Sequence, residues 1–191
     1  MNIKRGSIFF VLIIALAVAS ATSAYVLKTW RWPSPRATFN DSSLPSAWRT
    51  GVRNAAEEWE DTDHFDWDRS SSSQNKLTLE RIDGSGGTLA TTTNSRYGDF
   101  LYRIGILFDS SESWHTSSGT PPSSKFDALS VATHEFGHAV GIDHPESFRC
   151  GSNGSTTSRP TMCQHGDLKK NDTSRRSLAS DDRNAIDDQY N

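Results

Sequence analysis

The stretch HEFGHAVGIDH, residues 134–144, decides the fold of this 191-residue chain. It carries His134 and His138 four positions apart, with Glu135 directly after the first histidine. On a helix this spacing places both imidazoles on one face, where both can bind a single metal ion. The stretch therefore predicts a metal-binding helix around which the remaining elements are arranged.

Gly141 favours a sharp turn after this helix, because glycine adopts backbone conformations that other residues resist. The turn would bring His144 to the same ion as a third ligand. Three neutral histidine nitrogens and a water form the open tetrahedral site that is typical of one catalytic Zn²⁺. Zinc lowers the pKa of such a water to about 7, and Glu135 is placed to take its proton as general base while the water attacks a carbonyl. These residues predict a zinc-dependent hydrolase.

With Gly141 and His144, the motif resembles that of the metzincin zinc endopeptidases. Within that clan most of the chain resembles the matrixins, the matrix-metalloproteinase-like family. The resemblance implies an α+β fold, in which a twisted, mostly parallel sheet carries a zinc-binding helix and a C-terminal helix lies below the cleft. It also implies that Met162 forms a methionine turn beneath the metal. One departure is Pro145, which stands where animal matrixins usually have serine and is more like the serralysin group.

The resemblance also implies a structural Ca²⁺ site upstream of the zinc helix. Residues 83–90, DGSGGTLA, are similar to the matrixin loop that wraps a calcium ion, and residues 108–114, FDSSESW, are similar to the stretch that closes the site. Calcium prefers such carboxylate and carbonyl oxygens. The implied ligands are the carboxylates of Asp83, Asp109 and Glu112 and the carbonyls of Gly84, Gly86 and Thr88. A plain glycine turn beside surface acids is the alternative interpretation.

Substrate binding is the next feature that the resemblance implies. Leu89, Ala90 and Thr91 would begin an edge strand along which an extended protein or peptide substrate lies, hydrogen-bonded through its backbone. Matrixins usually hold a second, structural zinc through histidines near the calcium loop. No histidine lies between His64 and His115 here. We therefore expect that second zinc to be absent.

The N-terminal residues 1–24 have the features of a secretory signal peptide. Two basic residues precede an uncharged apolar run over residues 8–19, and small residues then offer cleavage after Ala21 or Ala24. An uncleaved membrane anchor is the alternative, but the run is shorter than the roughly 20 residues that a spanning helix needs. We expect a secreted, extracellular protein with no stable membrane association after cleavage.

The two cysteines, Cys150 and Cys163, are the whole cysteine content of the chain. Export to an oxidising compartment favours a disulfide between them. A zinc site built from both is the weaker alternative, because neither has a close second thiol. We expect the disulfide.

Charge and length limit the class of partner and the number of domains that the mature chain can have. The formal net charge of the full chain is −3, and it becomes −5 once Lys4 and Arg5 leave with the signal peptide. No basic cluster offsets this negative charge, which argues against a nucleic-acid partner. We expect a short N-terminal segment over residues 25–35 and one catalytic domain over residues 36–191, acting as a monomer.

The periodicity of apolar residues predicts the remaining elements. Residues 61–73 are polar and predict a loop, and Ser180 is suited to cap a last helix. The predicted strands cover residues 36–40, 76–82, 88–93 and 100–108, and the predicted helices cover residues 44–60 and 126–140.

A secreted zinc endopeptidase is the function that these features favour. One alternative is a catalytically silent metal-binding module that acts in adhesion or recognition. Glu135 argues against it, because a purely structural site needs no base beside its first ligand. Another alternative is a zinc hydrolase that acts on a non-peptide amide, which would use the same site on a different substrate.

Overall fold

The computed structural model describes residues 25–60, 64–145, 150, 160–164 and 168–191. The predicted signal peptide, residues 1–24, lies outside this part of the chain. The elements of the described residues are β1 (Val26–Leu27), β2 (Arg36–Phe39), α1 (Ser46–Glu60), β3 (Asp66–Arg69), β4 (Lys76–Glu80), β5 (Ala90–Tyr97), β6 (Phe100–Asp109), β7 (Trp114–His115), β8 (Phe126–Asp127), α2 (Ala128–Ala139), β9 (Ile142–Asp143) and α3 (Ser180–Tyr190).

The main sheet is mostly parallel and ends in one antiparallel edge strand. Strand β4 runs parallel to β6, which is central, while β5 pairs antiparallel with the other side of β6. Strands β2 and β3 form a parallel pair, and a parallel bridge between Asn40 and Lys76 joins β2 to β4. The resulting order is β3-β2-β4-β6-β5, so β5 lies at the edge.

Helix α1 packs its apolar face against the sheet and against α2. Its buried residues are those that the helical spacing predicts: Trp48, Val52, Ala55, Ala56 and Trp59. The Trp48 ring lies 5.1 Å from that of Phe108 on the central strand. The Trp59 indole N–H donates to the carbonyl of Thr133 at 2.8 Å, which ties α1 to α2. This packing fixes α2, the predicted metal-binding helix, against α1 and the sheet.

The prediction of a loop over residues 61–73 was wrong for strand β3. Two of its four residues are aspartates, which strands disfavour. The strand forms because Trp67 is buried, with its ring 5.1 Å from Phe136 of α2, while the aspartates face outward. Pairing with β2, a non-local contact, outweighs local propensity here.

The start of helix α3 also differs from the prediction. Ala179, not Ser180, occupies the N-cap position, and no hydroxyl caps the helix. Asp182 supplies the hydrogen bond from within the first turn, since its carboxylate accepts the backbone N–H of Ala179 at 2.9 Å. An acidic residue in this position also interacts favourably with the helix dipole.

The N-terminal segment over residues 25–35 packs against the rest of the domain. Strand β1 pairs antiparallel with β9, directly before the third predicted zinc ligand. Trp30 and Trp32 are buried, and the Trp32 indole N–H donates to the carbonyl of Ala139 at 2.9 Å. The N-terminal segment thus supports the C-terminal end of α2.

None of the helices among the described residues has the length and apolar character that crossing a bilayer requires.

Candidate metal centre

Helix α2 is held firmly at its N-terminus. The carboxylate of Asp127, which is fully buried, accepts the backbone N–H of Ser130 at 2.9 Å and so caps the helix. Arg176 donates to both oxygens of Asp127, at 2.9 and 2.7 Å. Such a bidentate pair neutralises a carboxylate that would be costly to bury alone. The helix therefore presents its ligands from a fixed base.

The three histidines of the motif converge on one point. The Nε2 atoms of His134 and His138 lie 3.1 and 3.0 Å from Nε2 of His144. The Nδ1 atoms of His134 and His138 lie 2.7 and 2.9 Å from the backbone carbonyls of Thr161 and Ile142. Because a carbonyl only accepts, both Nδ1 atoms carry the proton, and the Nε2 lone pairs face the common point.

This donor set fits zinc. Nitrogens bound to a tetrahedral zinc at about 2.0–2.1 Å lie about 3.4 Å apart, close to the observed separations. Backbone carbonyls on the distal ring nitrogens are the partners that metal-binding histidines usually have. In the described part of the chain, this triad is the one group of three or more His, Cys, Asp or Glu ligand atoms that lie within 4.8 Å of one another.

Gly141 makes the turn that carries the chain from α2 to His144. Its φ angle is +96°, in the region that favours glycine. A Cβ at this position would lie 2.7 Å from the carbonyl oxygen of Trp30, so the close approach of the N-terminal segment also requires glycine. After the turn, the Asp143 carboxylate accepts the backbone N–H of His144 at 2.9 Å and forms an ion pair with Lys28. Both contacts hold the loop that bears His144.

Met162 packs against helix α2 at Gly137. It is buried, and its sulfur would lie 2.2 Å from a Cβ at Gly137, so the missing side chain of this glycine makes room for the methionine. Asp182 of α3 holds this turn, accepting the backbone N–H groups of Thr161 and Met162 at 2.7 and 3.3 Å. Burial raises the pKa of Asp182 to about 6. Helix α3 thus supports the carbonyl that orients His134.

Glu135 faces a cleft beside the triad. Its side chain is buried, with 1% of the residue exposed, and its Oε2 lies 2.7 Å from the hydroxyl of Thr92 on β5. The cleft has a volume of about 310 Å³. Its lining residues include Lys28, Trp30, Ala90, Thr91, Thr92 and Asn94, together with Glu135, His138 and His144.

Two of the three predicted edge-strand residues, Ala90 and Thr91, line this cleft. Strand β5 begins at Ala90, so Leu89 directly precedes it. The Leu89 carbonyl accepts the backbone N–H of Asp109 at 2.9 Å, which continues the pairing with β6. Ala90 and Thr91 line the cleft, and the side of β5 opposite β6 is the edge of the sheet. A peptide could pair with this edge as an added strand.

Two of the predicted calcium carboxylates lie against the glycine-rich turn after β4. Asp109 is buried and accepts the backbone N–H groups of Asp83, Gly84 and Ser111. Burial alone would raise the pKa of Asp109, but the N–H donors from Ser111 and Asp83 hold it well below its usual range. Glu112 is also buried and accepts the backbone N–H of Gly86 through Oε1.

The third carboxylate points elsewhere. Asp83 accepts the backbone N–H and the hydroxyl of Thr88, at 3.0 and 2.7 Å from Oδ2. The carboxylates of Asp83, Asp109 and Glu112 therefore do not converge as the histidines do. One observation still favours a cation: Oε2 of Glu112 is buried without a hydrogen-bond partner.

The predicted disulfide between Cys150 and Cys163 is present, with the two Cα atoms 5.6 Å apart. It links the chain beyond His144 to the turn that contains Met162. Such a crosslink restricts the unfolded chain and so stabilises the folded state.

Sequence reasoning missed three polar residues that support the centre: Thr92, Lys28 and Asp182. The alternation of side chains along a strand could have placed Thr92 on the same face as Ala90. No sequence signal marks Lys28 or Asp182, because their partners lie 115 and 20–21 positions away in the chain. Such contacts become visible only once the fold is known.

Comparison with known proteins agrees with this geometry. The peptidase family model described as Matrixin matches residues 45–191. Matrix metalloproteinase-25 of Mus musculus is 40% identical over 63 residues, a match that covers 33% of this chain and 10% of that protein. The aligned part of the chain thus spans about a tenth of the length of this relative.

Proposed function

The chain belongs to the matrixin family of peptidases, and on that basis we propose that it is a secreted, zinc-dependent endopeptidase. The observation that carries the proposal is the convergence of three imidazole Nε2 atoms beside the buried carboxylate of Glu135. A purely structural zinc site is closed by four protein ligands, whereas a catalytic one keeps an open position. A triad that borders a cleft fits the second kind.

The edge strand β5 supplies the proposed binding site for the substrate backbone. An extended peptide would add to the sheet beside Ala90 and Thr91, as peptides do at exposed strand edges. Main-chain hydrogen bonds of this kind hold the substrate without fixing its sequence, while the side chains that line the cleft select it. The arrangement suits an endopeptidase that binds an unfolded or extended segment.

Glu135 is the proposed proton carrier of the reaction. When bound, zinc acidifies a water molecule and polarises the scissile carbonyl. The Glu135 carboxylate accepts the proton of the attacking water and then donates it to the leaving nitrogen of the cleaved peptide bond. The carbonyls of Thr161 and Ile142 keep the His134 and His138 rings oriented throughout.

Secretion is part of this proposal. The Cys150–Cys163 disulfide supports it, because such crosslinks persist in oxidising compartments and are rare in the cytosol. The signal-like sequence over residues 1–24 gives the route. The disulfide and the signal-like sequence both support a protein that acts outside the cell.

Cleavage of an unstructured protein tests the proposed activity. The disulfide-bonded chain lacking residues 1–24, loaded with one equivalent of zinc, should cut β-casein at internal peptide bonds, detected as new N-termini by mass spectrometry. Addition of 1,10-phenanthroline should stop the reaction, and zinc should restore it. If the zinc-loaded protein cuts nothing while it still binds casein peptides, it is a recognition module and the proposal is wrong.

We further propose that calcium binds at the turn formed by residues 83–88, with Asp83, Asp109 and Glu112 as carboxylate ligands. The partnerless Oε2 of Glu112 supports this, because a buried carboxylate oxygen without a donor is costly unless a cation neutralises it. The carbonyls of Gly84, Gly86 and Thr88 would complete the set. Asp83 would have to turn from its present contact with Thr88.

Thermal melting tests the calcium proposal. Zinc-loaded protein freed of calcium should melt several degrees lower than the same protein in millimolar calcium, because a ligand that binds only the folded state stabilises it. The variant Glu112→Gln should abolish this calcium-dependent shift. An identical melting temperature with and without calcium would leave the glycine turn without a metal role.

A further inference from the structure

Thr92 of β5 contacts Glu135 of α2 through its side chain, in addition to the backbone pairing that holds it in the sheet. Its hydroxyl lies 2.7 Å from Oε2 of Glu135 and 3.1 Å from the backbone carbonyl oxygen of the same residue. A hydroxyl has a single proton to donate. The shorter distance and the negative charge favour the carboxylate, since hydrogen bonds to ionised acceptors are the stronger ones.

The backbone around Thr92 fixes the position of this hydroxyl. Thr92 is paired with Ile106 of the central strand, in the regular part of the antiparallel ladder that precedes the register shift at Ser95 and Arg96. A β-branched side chain has few χ1 rotamers available, so the hydroxyl is held in place before any substrate arrives. The sheet therefore presents a preset donor to the helix.

The orientation of the Glu135 carboxylate, in contrast, is not fixed by rotamer preference. The terminal torsion of a glutamate is broad, and rotation about it exchanges the positions of the two carboxylate oxygens. The hydrogen bond from Thr92 to Oε2 restricts the plane of the group.

We propose that Thr92 is a positioning residue for Glu135: its hydroxyl orients the carboxylate that carries the proton, and so ties the substrate-binding edge strand to the chemistry. This inference rests on the proposed peptidase function and names a residue that serves that same site. The contact joins β5 to α2 across the cleft wall. A peptide that pairs with β5 thus lies beside a strand that also sets the catalytic geometry.

Three substitutions separate positioning from general stability. Thr92→Val keeps the shape and removes the hydroxyl, and it should lower kcat by about 10- to 100-fold, the effect expected for losing a hydrogen bond to a buried charged group. KM should stay within about twofold, because the strand backbone is unchanged. Thr92→Ser should recover kcat to within about threefold of the wild type. Thr78→Val is the matched control, since Thr78 is a half-buried threonine on β4, separated from β5 by β6.

A structural readout makes the test independent of turnover. In crystal structures of the zinc-loaded proteins, wild type should keep Glu135 Oε2 within hydrogen-bond distance of Thr92, and Thr92→Val should show a rotated or more mobile carboxylate. An unmoved carboxylate in Thr92→Val, with kcat within twofold of wild type, overturns the inference. If wild type cleaves no protein while Thr92→Val still displaces the carboxylate, the positioning role stands and the peptidase function is what fails.

Discussion

Replacing Glu135 with glutamine should lower kcat for peptide cleavage by about 10²- to 10⁴-fold, the contribution that a positioned general base or acid makes. Glutamine has nearly the same shape, and its amide oxygen can still accept the hydrogen bond from Thr92. It cannot take up a proton at neutral pH. The substitution therefore removes proton transfer while it preserves the packing around a residue that is 1% exposed.

Zinc content and a distant glutamate give the controls for this prediction. The variant should hold the same amount of zinc per chain as wild type, measured by mass spectrometry of the metal, because Glu135 is not one of the three converging ligands. Glu57→Gln, on the exposed face of α1, should leave kcat unchanged. Activity of Glu135→Gln within tenfold of wild type, at equal zinc content, would require another group to carry the proton.

The convergence of His134, His138 and His144 could be predicted from sequence because it depends on local geometry. The spacing of His134 and His138 is a property of the helix, and the return to His144 follows from the conformation of Gly141, whose φ angle is +96°. Each inference spans fewer than a dozen residues of chain. The periodicity of α1 is local in the same way, and its buried residues were those predicted.

The parts that sequence reasoning missed depend on long-range packing. Strand β3 forms because its backbone pairs with β2 and its Trp67 packs against Phe136 of α2. The aspartates on either side of Trp67 give no local indication of a strand. The contact between Thr92 and Glu135 joins residues 43 positions apart. The turn over residues 83–88 was predicted only in part. Its glycines and acidic residues are visible in the sequence, but the contact of the Asp83 carboxylate with Thr88 is not.

Removing zinc should loosen the fold as well as stop catalysis. At a free zinc concentration 1,000 times the Kd, binding to the folded state contributes about 4 kcal/mol to the free energy of unfolding. For a domain of this size, that corresponds to a fall of about 8–16 °C in Tm when the metal is removed. The physical reason lies in the triad. Without a cation, the Nε2 lone pairs of His134 and His138 face that of His144 at 3.1 and 3.0 Å, and these lone pairs repel one another.

The zinc effect can be separated from that of calcium and from general damage to the fold. Protein stripped of all metals should regain most of its Tm on addition of zinc alone, measured by circular dichroism. His138→Ala should lose this zinc-dependent rise, whereas His115→Ala, on β7 and outside the triad, should keep it. A bound ion would join α2 to the loop that bears His144, and the N-terminal segment supports that same loop through β1 and Lys28. A Tm that does not depend on zinc would mean that this bracing alone holds the loop, and that the metal serves chemistry without stabilising the fold.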